Sequence, residues 1–328
     1  MDDVALRAGV SRALVSLVMR DSPKVSDRSR VAVLTAAEEL GYRPNLMARS
    51  LASRRTMTIG LVLNDLHNPF FPEIADGIRA GADEHGYRLL MNSGFLEPAS
   101  ERRAVEQFLE LRADGIILVG PRLPTKAIAA AAESVPVVVI GRPLRAAAVD
   151  TVNNDEAAGA GLVVDHLLSL GHERIAHIDG GAGAGAKERR AGFIDAMQAH
   201  ELEPSVVRGD FTEGGGERAA ERILGLADRP TAVFAANDLT ALGALSRFDE
   251  AGLNVPGDIS LVGYDNVAMA ALRHISLTTI DQPRLEMGQL AVAAIVQRLA
   301  GDVDRACRKI VKPSLVVRHT TAEPTSAK

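Results

Sequence analysis

The sequence is short of several residue types, and each shortage excludes a class of protein. Cys307 is its single cysteine, so a disulfide framework and a cysteine-based zinc cluster are both excluded. No apolar run approaches the roughly 20 residues of a membrane span, and the N-terminus has no signal-peptide pattern. We therefore expect a cytoplasmic protein without membrane contact. Aromatic residues make up only 3% of the chain, so each Phe in a polar segment becomes informative.

The charge of the chain is unevenly distributed. With 328 residues, of which 47% are hydrophobic and 24% charged, the chain predicts two or three globular domains. Residues 1–56 carry 10 Lys and Arg against 6 Asp and Glu, a net charge of +4. The remainder carries 27 basic and 36 acidic residues, a net charge of −9. Any nucleic-acid binding should therefore be confined to the basic head.

Residues 1–43 have the pattern of a small helical module. The stretch from Asp2 to Ala8 is amphipathic, Gly9 suits a tight turn, and Ser11 suits the N-cap of a second helix. Two short helices joined by a glycine-containing turn are the helix-turn-helix signature. A third helix should run from about Asp27 to Leu40, capped by Ser26, with its apolar face formed by Val31, Leu34, Ala37 and Leu40. The basic residues predicted on the outer surface are Arg12, Arg20, Lys24, Arg28 and Arg30. This surface favours DNA binding, although a helical cap with a solvated basic face remains the alternative.

Residues 44–56 form a joint between the head and the rest of the chain. Pro44 should end the preceding helix and Asn45 can cap a new one. Met47, Ala48, Leu51 and Ala52 then recur at helical spacing. Because this apolar stripe is thin and the helix is short, it should be marginal alone and should need a partner to fold against.

From residue 57 onward, apolar runs alternate with amphipathic helices. Runs such as Ile116–Val119 and Val135–Ile140 suit strands that are covered on both faces. The alternation predicts a doubly wound parallel sheet, and the rhythm restarts after Asp150, so two α/β lobes are expected. Ligands of such folds bind at the carboxyl ends of the strands, in the cleft between the lobes.

Several residues at these strand ends could hold a sugar. Phe side chains can stack on the apolar face of a sugar ring, while Arg, Asn and Asp can bind its hydroxyls in a bidentate fashion. Each residue alone has an ordinary structural explanation, because Asp and Asn often end strands and Phe often completes a core. As a set they predict a binding cleft: Asn68, Phe70, Phe71, Arg142, Arg189, Phe211, Asn237, Asp265 and Gln282.

The head is similar to a known family over its whole length. The stretch DVALRAGVSRALVSLVMRDSPKVSDRSRVAVLTAAEELGYRPNLMARSLAS resembles the headpiece and hinge of the lac/galactose repressor (LacI) family. The resemblance implies that the second helix enters the major groove and that the hinge helix folds where two subunits meet over the minor groove. By position, Arg12, Ala13 and Leu17 would face base edges, and Ala48 and Leu51 would lie in the DNA-contacting hinge helix, with Leu51 as a wedge between base steps. The phosphate contacts implied are Ser11, Ser16, Ser26, Ser29 and Asn45.

The second helix departs from the family pattern at Leu14 and Leu17, where the family often has Thr and Arg. Because Val15, Val18 and Met19 already supply a buried face, we expect the two leucines to be exposed or against DNA. The operator sequence of the family therefore cannot be transferred to this chain.

The body extends the resemblance. The segments NPFF, ERRAGF, RPTAVFAANDLTALGAL, VPGDISLVGYDN and LTTIDQP are similar to the effector domain shared by LacI-family regulators and periplasmic sugar-binding proteins. The resemblance implies a two-lobed, type I periplasmic-binding-protein-like domain over residues 57–328. Its first lobe would comprise residues 57–153 and 283–313, and its second lobe residues 154–282 and 314–328. The family's ligand contacts fall on the nine strand-end residues given above. The glycine-rich loop 180–186 supplies no ligand side chain, and no leucine heptad follows Arg318, so we expect a homodimer.

Other chemistries lack support in the sequence. The glycine loop fails the G-x-G-x-x-G dinucleotide pattern, since Glu188 stands at the third glycine position counted from Gly183. No histidine pair has metal-ligand spacing and no G-x-S-x-G elbow occurs, so we expect neither an enzyme nor a cofactor or metal site. The sequence predicts a repressor that binds a palindromic operator as a dimer and senses a small sugar. A stand-alone sugar-binding or transport receptor is the alternative.

Overall fold

The chain forms two compact units, Met1–Thr56 and Met57–Lys328. They are seen in a computed structural model that describes residues 1–19, 22–42, 55–302 and 305–325. None of the helices within these ranges is long and apolar enough to cross a membrane.

The first unit contains the predicted helix-turn-helix. Its helices are α1 (Asp2–Ala8), α2 (Arg12–Val18) and α3 (Asp27–Glu39). Gly9 ends α1 in the left-handed conformation, with φ of 64°, which glycine adopts without steric strain. The Ser11 hydroxyl then accepts the Leu14 N–H at 3.2 Å and begins α2. The predicted roles of Gly9 in the turn and of Ser11 as the N-cap of α2 are therefore confirmed.

The apolar face predicted for α3 is wrong at three of its four positions. Val31, Leu34 and Leu40 are 63%, 50% and 47% exposed. Ala37 is buried as predicted, but its buried neighbours are Val33 and Ala36, and these three residues pack with Val4, Ala5, Val15, Val18 and Val25. The small side chains of this second stripe allow α3 to lie close to α1, whose own buried residues are small. The sequence prediction was based on the stripe with the largest side chains, and that stripe faces solvent.

The second unit alternates strands and helices, as predicted. The first stretch is β1 (Thr58–Leu63), α4 (Phe70–Glu84), β2 (Arg88–Ser93), α5 (Pro98–Glu110), β3 (Gly115–Val119), α6 (Thr125–Ala132), β4 (Val137–Ile140) and β5 (Val149–Asn154). The second is α7 (Glu156–Ser169), β6 (Ile175–Ile178), α8 (Ala186–Ala199), β7 (Ser205–Val207), α9 (Glu213–Leu224), β8 (Ala232–Ala235), α10 (Asp238–Glu250) and β9 (Ser260–Val262). The last is β10 (Thr279–Asp281), α11 (Arg284–Ala300), β11 (Arg308–Val311) and β12 (Ser314–Val316).

Two parallel sheets define two lobes. The first lobe has a six-stranded sheet in the order β11-β5-β4-β3-β1-β2, and the second a four-stranded sheet in the order β7-β6-β8-β9. In β1, Ile59, Leu61 and Leu63 belong to the core on one face of the sheet, whereas Val62 belongs to the core on the other. Burial on both faces explains the continuous apolar runs, and the predicted doubly wound fold is confirmed.

The chain passes between the lobes more than once. β5 is the last strand of the first sheet before α7, and α11 returns to pack on the first sheet through Met287, Ala291 and Val292. β11 then joins β5 in parallel, and β12 pairs with β10 in antiparallel register. The elements that cross between lobes thus lie beside the cleft.

Three elements of the second unit were not predicted from the sequence. β5 (VDTVNN) mixes polar and apolar residues, because it lies where the chain leaves the first lobe. α6 (TKAIAAAA) buries only Ile128 and Ala131, so its apolar periodicity is faint. β11 (RKIV) is short, and three of its four residues are exposed.

Helices α4 and α11 pack at backbone distance through glycines. A Cβ added at Gly77 would lie 2.2 Å from the Leu285 carbonyl oxygen, and one added at Gly288 would lie 2.5 Å from the Ile74 carbonyl oxygen. Because no side chain separates the helices at these points, the two glycines fix how closely α4 and α11 approach.

Gly77→Ala should therefore destabilise the body. The added methyl group meets backbone that cannot rotate away, so we expect the free energy of unfolding to fall by about 1–3 kcal/mol. Gly161→Ala is the matched control, because Gly161 is also helical and has open space around its Cβ position. That control should gain up to about 1 kcal/mol from helix propensity. Urea unfolding of both variants tests the packing, and equal midpoints would contradict it.

Candidate DNA-contacting surface and candidate effector cavity

The residues predicted to face base edges differ in their exposure. Arg12 and Ala13 are exposed at the start of α2. The Arg12 guanidinium lies 3.6 Å from the Asp2 carboxylate, and both side chains are at least 70% exposed. An exposed pair of this kind is weak, so the guanidinium is available to another partner. Leu17 is half-buried and packs on the core of the head.

The leucines of α2 correct one expectation. Leu14 and Leu17 were expected to be exposed or against DNA, but both are half-buried and pack against the cluster around Val15 and Val18. The reason is that α2 is only two turns long, so a wide face of it lies over α1 and α3. Only part of each leucine side chain remains on the outer surface.

The serines predicted to contact phosphates also hold the head together. Ser11 caps α2, and Ser26 caps α3 by accepting the Ser29 N–H at 3.3 Å. The Ser26 hydroxyl also donates to the Ser29 hydroxyl at 3.0 Å, and Ser16 is half-buried. Because a hydroxyl oxygen has two lone pairs and one proton, capping leaves capacity for a further hydrogen bond. Asn45, Ala48 and Leu51 lie outside the described residues.

A cavity of about 300 Å³ lies between the two lobes of the second unit. It forms where the carboxyl ends of β1, β3, β6 and β8 face one another, as expected for parallel sheets. Eight of the nine predicted effector residues line it: Asn68, Phe70, Phe71, Arg189, Phe211, Asn237, Asp265 and Gln282. Five of these, Asn68, Arg189, Asn237, Asp265 and Gln282, are more than 90% buried.

Arg142 is the predicted effector residue that does not line this cavity. Its Nη1 donates to the carbonyl oxygens of Pro121 and Leu123, at 3.2 and 2.6 Å, and its Nη2 donates to the Thr125 hydroxyl at 3.3 Å. These hydrogen bonds from the guanidinium stabilise the loop after β3. Arg142 lines an adjacent pocket instead, whose wall shares Arg122 and Gly183 with the main cavity.

Arg189 is the most enclosed cation of the cavity wall. Its Nε and Nη2 donate to Glu156 Oε2 at 2.9 and 2.8 Å, and its Nη1 donates to the Ala236 carbonyl. The guanidinium carbon lies 3.4 Å from the centre of the Tyr264 ring, a cation–π contact. Burial lowers the pKa of Arg189, but Glu156, Tyr264 and Asp265 together outweigh this effect and the net pKa is raised. The cation therefore stays charged although it is buried.

Asp265 and Gln282 join two strand ends at the cavity. The Gln282 side-chain amide donates to Asp265 Oδ1 at 2.6 Å, and both residues are almost fully buried. Asp265 has φ of 113°, which side chains other than glycine rarely adopt. Burial raises the pKa of the Asp265 carboxyl to about 8, with Arg189 opposing and Asp238 adding to the shift. This carboxyl is thus held in an environment that favours its protonated form.

Asn237 is a helix cap as well as a wall residue. Its Oδ1 accepts the N–H of Thr240 at 2.9 Å and so begins α10. Its Nδ2 donates to the Phe211 carbonyl at 3.3 Å. The side chain therefore fixes the loop after β7, which carries Phe211, relative to α10.

Aromatic rings supply the apolar walls. Phe70 and Phe71 begin α4 with their ring centres 5.4 Å apart in a T-shaped arrangement. The Phe211 ring faces them from the second lobe and lies against the glycine loop. A Cβ added at Gly180 or Gly183 would come within 2.5 or 2.3 Å of this ring. The loop thus contributes to the cavity because its glycines leave space for the Phe211 ring. The sequence alone did not reveal this role.

The cavity wall also contains residues that the sequence reasoning did not assign. They are Asn64, Asp65, Leu96, Gly120, Arg122, Glu156, Asp210 and Thr212, with the loop residues Gly180, Ala182, Gly183 and Ala184. Asn64 and Asp65 end β1, so their position could have indicated them. Glu156 follows the unpredicted strand β5, and no local pattern marks it.

A buried carboxylate stabilises the loop that carries Arg122. Glu101 is 1% exposed and accepts the backbone N–H groups of Arg122 and Leu123 at 2.9 and 2.6 Å. Burial raises the pKa of Glu101.

Among the described residues, no group of three His, Cys, Asp or Glu side chains is arranged to hold a metal ion.

Two buried carboxyls should lower the stability of the protein as the pH rises from about 6.5 to about 8, above the range in which buried His177, whose pKa is lowered to about 4 by burial, opposes them. Folded Asp265 holds its proton up to a pKa of about 8 and folded Asp238 up to about 7, whereas an unfolded Asp releases it near pH 4. The folded state therefore binds more protons across this range, and the free energy of unfolding decreases with pH. Asp265→Asn keeps an acceptor for Gln282 and should flatten this decrease.

Urea unfolding at pH 5, 6.5 and 8 measures the effect. Asp249→Asn, an exposed position on α10, is the control and should follow the wild-type curve. If Asp265→Asn also ran parallel to wild type, the buried carboxyl would not be the source of the pH dependence.

Comparison with known proteins matches two separate parts of the chain to family models. Residues 1–45 match the model of bacterial regulatory proteins of the lacI family, and residues 164–321 match that of a periplasmic binding protein-like domain. The transcriptional regulator GalR of Salmonella typhimurium is 36% identical over 98% of this chain and 96% of its own length. The transcriptional repressor CytR of Escherichia coli is 34% identical over the same shares.

Solved structures agree over nearly the full length. The lac repressor dimer bound to operator and the anti-inducer ONPF superposes with a TM-score of 0.86 at 30% identity, covering 98% of each chain. The transcriptional regulator CelR in complex with cellobiose superposes with a TM-score of 0.74 at 31% identity, covering 97% of this chain and 98% of that one. These proteins are named as transcriptional regulators and repressors rather than enzymes. With relatives of this identity along almost its entire length, the chain belongs to the lacI family of bacterial regulatory proteins.

Proposed function

We propose that this protein is a transcriptional repressor that binds a palindromic operator as a homodimer and responds to a small sugar in the cavity between its lobes. The observation that carries the proposal is the cavity itself. Phe70 and Phe71 from one lobe and Phe211 from the other face a ring-sized space whose polar residues reach it from strand ends. Apolar faces with polar edges suit a sugar ring.

We assign separate functions to the two units and to the segment that joins them. Residues 1–43 read DNA, residues 44–56 form a hinge helix, and residues 57–328 bind the effector. Arg12 and Ala13 lie exposed at the start of α2, where a recognition helix contacts base edges. Leu17 contributes the part of its side chain that the core leaves uncovered, and Leu51 is proposed as the minor-groove wedge.

An uncovered apolar surface on the first lobe supports a homodimer. β2 is an edge strand of the six-stranded sheet, and Met91 and Phe95, in and just after it, are 60% and 63% exposed. Leu66, which follows the neighbouring strand β1, is 47% exposed. Edge strands with exposed apolar side chains are normally covered by a partner. A two-fold dimer through this surface would present two heads to adjacent half-sites.

Effector binding is proposed to act through the closure of the lobes. A ligand that contacts both Phe71 and Phe211 binds most tightly at one lobe separation, so it favours that separation in proportion to its differential affinity. In a dimer, lobe closure changes the spacing of the two hinge segments. Because a short hinge helix is marginally stable, a modest change in spacing is enough to shift its folding on DNA.

Arg12→Ala should weaken operator binding without affecting the effector. Loss of a guanidinium at a base edge should reduce affinity for a selected operator fragment by about tenfold or more, and should lower the salt dependence of binding. Arg79→Ala, an exposed arginine of α4, should bind operator as wild type does. Fluorescence anisotropy over a range of salt concentrations tests this. Equal affinities for the Arg12 and Arg79 variants would refute the assignment of α2.

Gly183→Ala should weaken effector binding. Its Cβ would lie 2.3 Å from the Phe211 ring, so the ring must leave its place on the glycine loop and the apolar wall is lost. We expect affinity for the best-binding monosaccharide to fall at least tenfold, with little change in melting temperature because the loop is partly exposed. Calorimetry measures this, with Gly257→Ala as a control at a loop glycine that has only ordinary contacts.

Arg189→Ala is less informative, because it would leave Glu156 buried without its partner and destabilise the protein.

A further inference from the structure

We infer that the effector is an uncharged polyhydroxylated ring, and that Glu156 excludes phosphorylated sugars by occupying the position where an anion would bind. This inference rests on the proposed function, in which the cavity is the effector site, and it names the chemical class of the ligand and the residue that selects it.

The cavity contains the elements of an anion site. Helix α8 begins at Ala186 after Gly185, and no side chain caps its N-terminus. An N-terminus of this kind carries a partial positive charge and unpaired N–H groups. Arg189 lies in the first turn of the same helix and is 3% exposed. A guanidinium beside a helix N-terminus would attract a phosphate or carboxylate group.

Glu156 already fills that position. Its Oε1 lies 3.1 Å from where a Gly185 Cβ would be, and its Oε2 accepts two hydrogen bonds from Arg189 at 2.9 and 2.8 Å. Glu156 is 9% exposed, so its charge is weakly screened by solvent. The protein's own carboxylate is therefore the counter-ion of the guanidinium, and it lies beside Gly185, the residue that precedes α8.

The other charges of the wall do not restore attraction for an anion. Asp65, Asp210 and Asp265 also line the cavity, and the remaining arginine of the wall, within the described residues, is Arg122. Arg122 is exposed at the rim, where solvent and salt screen its charge. A phosphate beside Arg189 would meet the Glu156 carboxylate at short range in a poorly solvated space, which is unfavourable.

The hydrogen-bonding groups favour hydroxyls over phosphate as well. An ionised phosphate oxygen only accepts hydrogen bonds, and so does the ionised carboxylate of Glu156, so the two groups cannot pair. A sugar hydroxyl can donate to a carboxylate and accept from an amide such as that of Asn237 or Gln282. A hydroxyl can therefore occupy the space beside Glu156, whereas a phosphate group cannot.

The test compares neutral monosaccharides with their phosphate esters. Thermal-shift screening of wild-type protein should identify a neutral sugar, and calorimetry should show that it binds at least tenfold more tightly than its own phosphate ester. Glu156→Gln keeps an acceptor for Arg189 and removes the charge. In this variant the phosphate ester should gain at least tenfold relative to the neutral sugar, and inorganic phosphate should raise the melting temperature more than it does in wild type.

Asp195→Asn is the matched control, since it removes one carboxylate from an exposed site on the same helix. It should keep the wild-type ratio of affinities. A wild-type preference for the phosphate ester would overturn the inference while leaving a sugar-responsive regulator intact, and this comparison needs no variant to fold. An unchanged ratio in folded Glu156→Gln would overturn the role of Glu156. If no sugar of either class bound, the proposed sugar response itself would fail.

Discussion

The buried ion pair between Glu156 and Arg189 holds together the segments that form the effector cavity. Glu156 begins α7 just after the chain leaves the first sheet, Arg189 lies on α8, and the guanidinium also reaches the Ala236 carbonyl at the end of β8. Tyr264 covers the flat face of the guanidinium and accepts a hydrogen bond from the Asn154 amide at 2.7 Å. The ends of β5, β8 and β9 are thus tied to one charge. Because a buried charge without its partner is very unfavourable, this geometry is tightly specified.

The fold was largely predictable because its signals are local. Apolar runs marked the strands of both sheets, and Gly9 and Ser11 marked the turn of the head. The failures lie where local signals are misleading. In α3, two apolar stripes compete, and close packing with α1 selected the one with smaller side chains, Val33 and Ala36. β5 lacks an apolar run although it is largely buried, because its buried Asp150 is compensated by an ion pair with Arg298 rather than by apolar contacts.

The candidate site was predictable only in part, for a related reason. Position near strand ends indicated all nine candidates, and the contacts implied by the resemblance fall on the same residues. Position could not show that Arg142 is engaged by the carbonyls of Pro121 and Leu123, because side-chain direction depends on tertiary contacts. Nor could it show that Glu156 meets Arg189, since 33 residues separate them in sequence. The contribution of the glycine loop is invisible in the sequence because it consists of space for the Phe211 ring.

The glycine contacts between α4 and α11 have a mechanical consequence. Both helices begin at the cavity, one with Phe70 and Phe71 and the other two residues after Gln282. Since their backbones touch at Gly77 and Gly288, no side chain at these points could absorb a displacement of one helix against the other. We therefore expect a displacement of Phe71 by a ligand to be shared by both helices. Such a displacement would be passed along α4 and α11 away from the cavity.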